Sequence, residues 1–439
     1  MKTHKTFTII TFGCQMNKSD SELMELSLLK SGFHKSDSYH SDIFIFNTCS
    51  VRKHAEDRAI AHITETRSKY KDAIIAVAGC MAQRIAHELI TEFGVNLVVG
   101  PYQSPDMGNI ISRYLYNSAI NKYISQNADD FASRLDNELA HHSDELPWHK
   151  WVTISHGCEN YCAYCIVPYV RGKLISFPSQ QIIDYCTVLI DNGIREITLL
   201  GQNVNQYGQD SGDIPFYKLL DKVASLRGLY KLNFITSHPK DFNDNILHVM
   251  NNNPVIARSI HLPLQSGSDA VLQAMNRQYT MKQYFTTIDA IHTIVPHCSV
   301  STDLIVGFPG ETDKDFEMTL NAVKTMQFDE AFTYKYSPRE GTRAYLLPDT
   351  IPDNEKQRRL DILITTVREV SLKQLHNHIN STTDMIVERI SKKSDSEVMG
   401  KTICNHPIII KGTMDDIGKK YTVTIVSLKG STLYGERSA

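Results

Sequence analysis

The run Trp151-Val152-Thr153-Ile154-Ser155-His156-Gly157-Cys158-Glu159-Asn160-Tyr161-Cys162-Ala163-Tyr164-Cys165 leads from an apolar, strand-like stretch into three cysteines within eight residues. A loop with this spacing can close its thiolates around one metal centre. Three thiolates are one short of the four that zinc or an ordinary electron-transfer 4Fe–4S cluster takes. The spacing therefore points to a cluster with one open iron, able to chelate the amino and carboxylate groups of an amino-acid-like cofactor. Two other readings stand beside it: zinc completed by His156, and an incidental group of thiols. Structural zinc motifs usually come as two paired half-sites, which counts against the first.

Downstream of this loop, strand-like runs at Glu196 to Leu200, Lys231 to Thr236, Ser259 to Leu264, Ser299 to Val306 and Ala331 to Tyr336 alternate with helical stretches starting near Ser179, Pro215, Asp241, Met281 and Thr312. With Val152 to Ser155 as the first strand, six βα units predict an incomplete parallel barrel. Barrels of this kind carry their chemistry at the C-terminal ends of the strands. There the cysteine loop follows the first strand, and the later strands end in Gly201-Gln202-Asn203, Ser237-His238-Pro239, Gln265-Ser266-Gly267-Ser268 and Gly307-Phe308-Pro309-Gly310. His238 reads equally well as a structural histidine, and the Gly307 loop as a tight turn. A helix from Asp353 to about His378 closes this region, expected to span 151–380.

Upstream, residues 1–116 show the same alternation. Strands are predicted at Lys5 to Thr11, Asp42 to Phe46 and Ala73 to Ala78. Helices are predicted from Ser19, from about Val51 to Tyr70 and from about Met81 to Phe93, a pattern that predicts a parallel, doubly wound sheet. Thr11-Phe12-Gly13-Cys14, Phe46-Asn47-Thr48-Cys49 and Ala78-Gly79-Cys80 each end a strand just before a helix. Carboxyl ends of parallel strands share one edge, where such folds bind ligands, so the three thiols should converge despite the sequence between them. Buried structural thiols are the plain alternative. Residues 117–150, with the acidic pair Asp129-Asp130 and Pro147, read as a connector, partly helical around 131–139.

Residues 381–439 switch to short β-rich runs at Met385 to Ile390, Pro407 to Lys411 and Tyr421 to Leu428, punctuated by Gly400, Gly412, Gly418 and Gly430. These predict a small C-terminal β-barrel with a net charge of +2. Small barrels of this type bind RNA. Lys392, Lys393, Lys401, Lys411, Lys419 and Lys420 offer phosphate contacts or, more plainly, a solvated face.

The 439 residues suggest about three domains. Nine cysteines are too few for a disulfide scaffold, so grouped cysteines read first as metal ligands or catalytic thiols. A net charge of −3 argues against bulk binding to polyanions and leaves room for a local basic patch. No apolar run approaches the roughly 18 residues of a membrane span, and the first residues lack the pattern of a signal peptide. A cytoplasmic protein without membrane contact is expected.

The spacing Cys158-x3-Cys162-x2-Cys165 with Tyr164 before the last cysteine resembles the radical S-adenosylmethionine superfamily. That resemblance implies a unique iron that binds S-adenosylmethionine and cleaves it to a 5′-deoxyadenosyl radical. Tyr164, Gln265 and Gly307 resemble residues that line this cofactor. Gly13-Cys14-Gln15-Met16-Asn17, Asn47-Thr48-Cys49-Ser50-Val51-Arg52 and Gly79-Cys80-Met81-Ala82-Gln83 are similar to the three signatures of the methylthiotransferases. Leu200-Gly201-Gln202-Asn203, Thr236-Ser237-His238-Pro239 and Tyr336-Ser337-Pro338-Arg339 agree, and the match spans essentially the whole chain.

The resemblance implies an α/β protein with an N-terminal doubly wound sheet, a central partial (β/α)6 radical barrel and a TRAM-like C-terminal barrel. It implies two 4Fe–4S clusters, with Cys158, Cys162 and Cys165 holding the radical-generating one. Cys14, Cys49 and Cys80 would hold an auxiliary one that carries or donates sulfur. Within the family, Gly-Cys-Gln-Met-Asn and Asn-Thr-Cys-Ser-Val-Arg are similar to the branch that methylthiolates C2 of N6-isopentenyladenosine beside the tRNA anticodon. The expected partners are that tRNA and an electron donor such as flavodoxin or ferredoxin, with the enzyme a monomer. The rival readings are a methylthiotransferase acting on another tRNA base or a ribosomal-protein side chain, and a non-catalytic, zinc-containing RNA-binding protein. Phe177, Glu340 and Lys401 depart from the family pattern, where arginine, proline and arginine are common.

Overall fold

The Thr6–Thr11 run, apolar and β-branched, forms the first strand (β1) of a parallel sheet in a computed structural model that describes residues 5–36, 40–50, 53–124 and 148–438. The other strands are His34–Lys35 (β2), Ile43–Thr48 (β3), Ile74–Gly79 (β4), Leu97–Val99 (β5) and Lys122–Tyr123 (β6), in the order β2-β1-β3-β4-β5-β6. Every neighbouring pair is parallel. Because β3 and β4 are buried along almost their full length, they read as continuous apolar runs rather than as alternating ones. Apolar layers cover both faces. Phe7, Met24, Leu28, Ile45 and Ile111 belong to one, and Phe44, Phe46, Ile63, Val77 and Leu89 to the other.

In this strand order the chain reverses direction between β1 and β3. That is the topological switch point at which open α/β sheets bind ligands, beyond the carboxyl ends of the strands. The first helix runs Gln15–Lys30, starting before the Ser19 expected from its polar residues. The stretch expected as one helix over 81–93 is two short ones, Cys80–Arg84 and Ala86–Thr91, broken at Ile85. The helix expected near 131–139 falls outside the described residues, and β6 joins the sheet beyond position 116.

The described residues make two compact units: those up to 124 with 155–161 and 165–177, and 148–154 with 162–164 and 178–438. The second unit contains strands His149–Thr153 (β7), Glu196–Leu200 (β10), Lys231–Phe234 (β11), Ser259–His261 (β12), Ser299–Val306 (β13) and Glu330–Lys335 (β14). They pair in parallel as two three-stranded sheets, β11-β10-β7 and β12-β13-β14, which contain the six strands expected of an incomplete parallel barrel. Between β7 and β10 the short strands Ser155–His156 (β8) and Ile175–Ser176 (β9) pair antiparallel within the first unit.

A closed barrel follows, built from Thr382–Ser391 (β15), Ser394–Thr402 (β16), Pro407–Lys411 (β17), Lys420–Lys429 (β18) and Thr432–Arg437 (β19), in the order β15-β16-β17-β19-β18. Its core is Met385, Val387, Val398, Ile408, Ile410, Val423, Ile425 and Leu433. β16 and β19 mix their few apolar residues with Ser, Asp, Glu, Gly, Lys and Arg, a composition with little strand preference of its own. Pairing with apolar neighbours makes them strands. Lys231, buried in the second unit, donates to the Thr402 carbonyl at 2.9 Å, and Asn405 donates to Asn233 at 3.1 Å, so the barrel is seated on β11 by polar contacts. No helix among the described residues is long and apolar enough to cross a membrane.

Candidate active site

The three strand-end cysteines of the first unit lie together. Cys14 is the residue before helix Gln15–Lys30, Cys49 follows β3, and Cys80 opens the helix after β4. Two glycines let them approach. Gly13 has φ +107°, and a Cβ there would stand 2.3 Å from the Cys49 Cβ. Gly79 has φ +90°, and its Cβ would meet the Thr48 carbonyl at 2.4 Å. Only glycine adopts these angles without strain, and only glycine fits these spaces. Asn17 donates to the Phe12 carbonyl at 2.8 Å and Asn47 to the Asn17 carbonyl at 2.7 Å, tying the β1 and β3 loops to each other.

Among these thiols lies a cation that motif reading did not single out. Arg171 ends the short helix Val167–Arg171 and is 2% exposed. Its Nε donates to Cys80 Sγ at 3.3 Å, and its Nη2 donates to Asp20 at 2.8 Å and to Asn17 at 3.2 Å. Ile166 and Val170 of the same segment pack on Cys80. The Arg171 carbonyl accepts from the Tyr102 hydroxyl at 3.0 Å. The next carbonyl, of Gly172, accepts from the Cys158 N–H at 3.2 Å.

The electrostatics follow from this packing. A hydrogen bond from Cys49 pulls the Cys14 thiol down to about 6, against the opposing effect of burial and with help from the Arg171 charge. Burial raises Cys80, and Arg171 offsets part of the rise. Burial works against the Arg171 charge, but Cys80, Asp20 and Cys14 together hold its proton affinity well above the ordinary. The site thus favours the Cys14 thiolate beside a permanent positive charge. Arg171 Nη1 is buried without a hydrogen-bond partner, as is Asn47 Oδ1. Three convergent thiols around an unanswered guanidinium N–H suit an anionic sulfur-bearing cluster, whose sulfides accept such bonds.

In the second unit, Cys162 has its own cationic neighbour from far along the chain. Arg277 Nη1 donates to Cys162 Sγ at 3.3 Å and to the Tyr164 hydroxyl at 3.4 Å. Its Nη2 is fixed on the Pro263 carbonyl at 2.7 Å. His238 Nε2 stands 3.8 Å from Cys162 Sγ. Burial, then the charges of Arg277 and Lys240, pull the His238 pKa down to about 2, so the ring is neutral. Its Nδ1 accepts from the Lys240 N–H at 3.2 Å, which puts the ring proton on Nε2, facing the sulfur. Cys162 thereby meets two donors, from residues 76 and 115 positions later in the chain.

The expected cofactor-lining residues are also in this unit. Tyr164 packs against Ala163, Met275, Phe308 and Tyr336. Gln265 is 6% exposed at φ +73°, and its Oε1 lacks a hydrogen-bond partner. Ser237 Oγ, Asn203 Oδ1 and Asn205 Nδ2 are likewise buried without partners, so polar atoms at the ends of β10, β11 and β12 wait for a polar guest. The Gly307 N–H donates to Glu311 at 2.6 Å, and Glu311 pairs with Arg359 at 2.8 Å. This anchors the β13 loop on helix Asp353–His376. Cys186, held up near 12 by burial, and Cys298 and Cys404 are also buried thiols of the second unit.

Family models match both halves of this arrangement: the Uncharacterized protein family UPF0004 over residues 6–100 and the Radical SAM superfamily over residues 152–323. A tRNA-2-methylthio-N(6)-dimethylallyladenosine synthase of Clostridium botulinum (strain Okra / Type B1) is 37% identical over 438 residues, covering 98% of this chain and 96% of the relative. The chain belongs to that synthase family. A namesake from Caldicellulosiruptor saccharolyticus is 36% identical over 99% of this chain and 92% of its own length. Another, from Endomicrobium trichonymphae, is 36% identical over 98% and 99% respectively. Among solved structures, the radical S-adenosylmethionine methyltransferase TsrM from Kitasatospora setae matches with TM-score 0.56 at 11% identity, over 75% of this chain and 72% of TsrM, a likeness of fold. Members of this synthase family are radical enzymes that transfer sulfur-containing groups, with S-adenosylmethionine and iron–sulfur clusters as cofactors.

Proposed function

We propose that the protein adds a methylthio group to C2 of N6-isopentenyladenosine next to the anticodon of tRNA, using two 4Fe–4S clusters. Cys158, Cys162 and Cys165 would hold the cluster that binds S-adenosylmethionine, and Cys14, Cys49 and Cys80 the auxiliary one. Relatives named for this product over nearly the full length support the substrate. The observation that carries the two-cluster reading is the buried Arg171 guanidinium with one N–H on Cys80 and another unanswered beside the converged thiols.

A C–H bond of an adenine ring has no acidic proton for a side-chain base to remove, so the cofactors supply a radical route and the sulfur. The chain's own residues supply position and charge. Arg277 and the neutral His238 donate to the Cys162 sulfur, which would stabilise the reduced, more negative state of a cluster held there. Tyr164, Gln265 and the Gly307 loop would line S-adenosylmethionine, with the unpartnered Gln265, Ser237 and Asn205 atoms turned to its polar groups. Arg171 would fix the Cys80 ligand and neutralise charge at the auxiliary site. The closed C-terminal barrel would contact tRNA through its exposed lysines. A one-electron donor is required, and a cytoplasmic location fits a tRNA substrate.

The test is the C14A/C49A/C80A variant, assayed on tRNA bearing N6-isopentenyladenosine with nucleoside mass spectrometry. It should still cleave S-adenosylmethionine and form no 2-methylthio product. Wild-type product from the triple variant would overturn the assignment, as would a wild-type enzyme that leaves this nucleoside unmodified.

A further inference from the structure

One carboxylate and two imidazoles come together within the second unit, where the small barrel meets β14 and helix Asp353–His376. Asp329 precedes β14, His378 follows helix Asp353–His376, and His406 sits between β16 and β17. Their ligand atoms all lie within 4.8 Å of one another. His406 is 7% exposed, and its Nε2, at 3.3 Å from Asp329 Oδ1, still lacks a partner in hydrogen-bond geometry. The His378 and His406 rings are edge to face with centroids 4.6 Å apart.

Two of the three groups are held in place by bonds that leave their ligand atoms free. The second Asp329 oxygen accepts from the Val300 N–H at 2.8 Å, and the His406 N–H donates to the Thr402 hydroxyl at 3.2 Å. The half-buried His378 opens onto a cleft of about 1120 Å³ that Asp329, Arg258 and Gln374 also line. A simple hydrogen-bonded pair would explain one histidine and the aspartate. It leaves unexplained why a second imidazole faces the same point and why His406 Nε2, 3.3 Å from the carboxylate, is out of hydrogen-bond geometry with it.

We propose that Asp329, His378 and His406 form a binding site for a divalent transition metal, zinc or an ion of similar preference, with water from the cleft as the fourth ligand. Two imidazoles and one carboxylate are the donor set such ions take, with bonds of about 2.0–2.2 Å that place neighbouring ligand atoms roughly 3.3 Å apart. The Asp329–His406 separation already has that value, and rotation of the His378 side chain closes the remainder. The ligands come from three elements, so the ion ties the barrel and helix Asp353–His376 to β14. It therefore sets how the barrel is seated. The site is independent of the cluster assignment, because it uses no thiolate.

The probe is Zn²⁺ added to the anaerobically reconstituted full-length enzyme, followed by desalting, metal analysis and zinc K-edge absorption. The wild type should retain about one zinc per chain in addition to its cluster iron. The shell should contain only nitrogen and oxygen at about 2.0–2.1 Å. H378A and D329N should each weaken zinc binding at least 100-fold while leaving iron content unchanged, which shows that they are folded. Zinc should raise the melting temperature of the wild type and not that of H378A. A sulfur shell near 2.3 Å, equal zinc retention in both variants, or no retention by the wild type at micromolar zinc would each overturn the proposal.

Discussion

The two cysteine sets reach the same number of thiols by opposite routes. Cys158, Cys162 and Cys165 share one loop of eight residues, so the chelating spacing is written into the local chain. Cys14, Cys49 and Cys80 have no local relation and are brought together by three adjacent parallel strands around a switch point. In both, the nearest guanidinium comes from far away in sequence: Arg171 for Cys80 and Arg277 for Cys162. Thiols can thus be grouped by the local chain or by the fold, while the guanidinium beside them is supplied by the fold in either case.

This contrast can be broken most severely at Asp20. Replacing it by alanine leaves the buried Arg171 without its carboxylate, a loss on the order of 3–5 kcal/mol. The D20A protein should melt earlier and hold about four irons per chain instead of about eight, with the loop cysteines still loaded. Full iron content in D20A would mean that the strand-end set does not depend on its buried ion pair. Next in size is G79A. A positive φ costs about 1–3 kcal/mol for a residue with a side chain, and the new Cβ is driven against the Thr48 carbonyl. Iron analysis should show the same selective loss, whereas a substitution confined to the loop, such as C165A, should spare the strand-end iron.

A smaller effect separates the two cations. R171K keeps the charge but loses the fork that reaches Cys80, Asn17 and Asp20 together. With one donor fewer, the potential of the strand-end cluster should fall by tens of millivolts, about 1 kcal/mol, while the loop cluster stays put. R277K should do the reverse. Redox titration followed by electron paramagnetic resonance reads both, and a shift of the wrong cluster in either variant would contradict the pairing drawn here.

The smallest expected effect is a control in the C-terminal barrel. The Tyr421 hydroxyl, the Thr413 N–H and Arg437 hold Asp416 down to about 2. A depressed carboxyl stabilises the fold above its unfolded value near 3.9, and the contribution is lost as pH falls through about 2. D416N should cost on the order of 1 kcal/mol at neutral pH, converge with the wild type as acid is added, and leave both cysteine sets untouched. Melting curves from pH 7 down to about 2 give the comparison.

Much of this was legible in the chain. Six cysteines at strand ends and in one loop, the βα alternation and the switch to short strands near 381 fixed the class of fold. The positions of Cys14, Cys49 and Cys80 followed from period and register alone. Arg171 and Asp20 were not legible, because a buried ion pair between residues 151 positions apart has no local signature. His238 was left between a structural and a functional role. Its neutral ring and the direction of its Nε2 proton depend on burial by residues distant in sequence. The early start of helix Gln15–Lys30 was hidden because its first turn is held by Asn17 and the Cys14 carbonyl rather than by a standard cap. β16 and β19 were hidden because a closed barrel makes strands of residues that show little preference for them.

The short helix Val167–Arg171 also bears on the order in which the chain matures. A ribosome delivers all three strand-end cysteines by residue 80, but the guanidinium that answers Asp20 and Cys80 arrives only at residue 171. Without residue 171 the buried Asp20 carboxylate would lack the cation it pairs with at 2.8 Å. The segment that supplies this guanidinium also anchors the cysteine loop, because the Gly172 carbonyl next to Arg171 accepts from the Cys158 N–H.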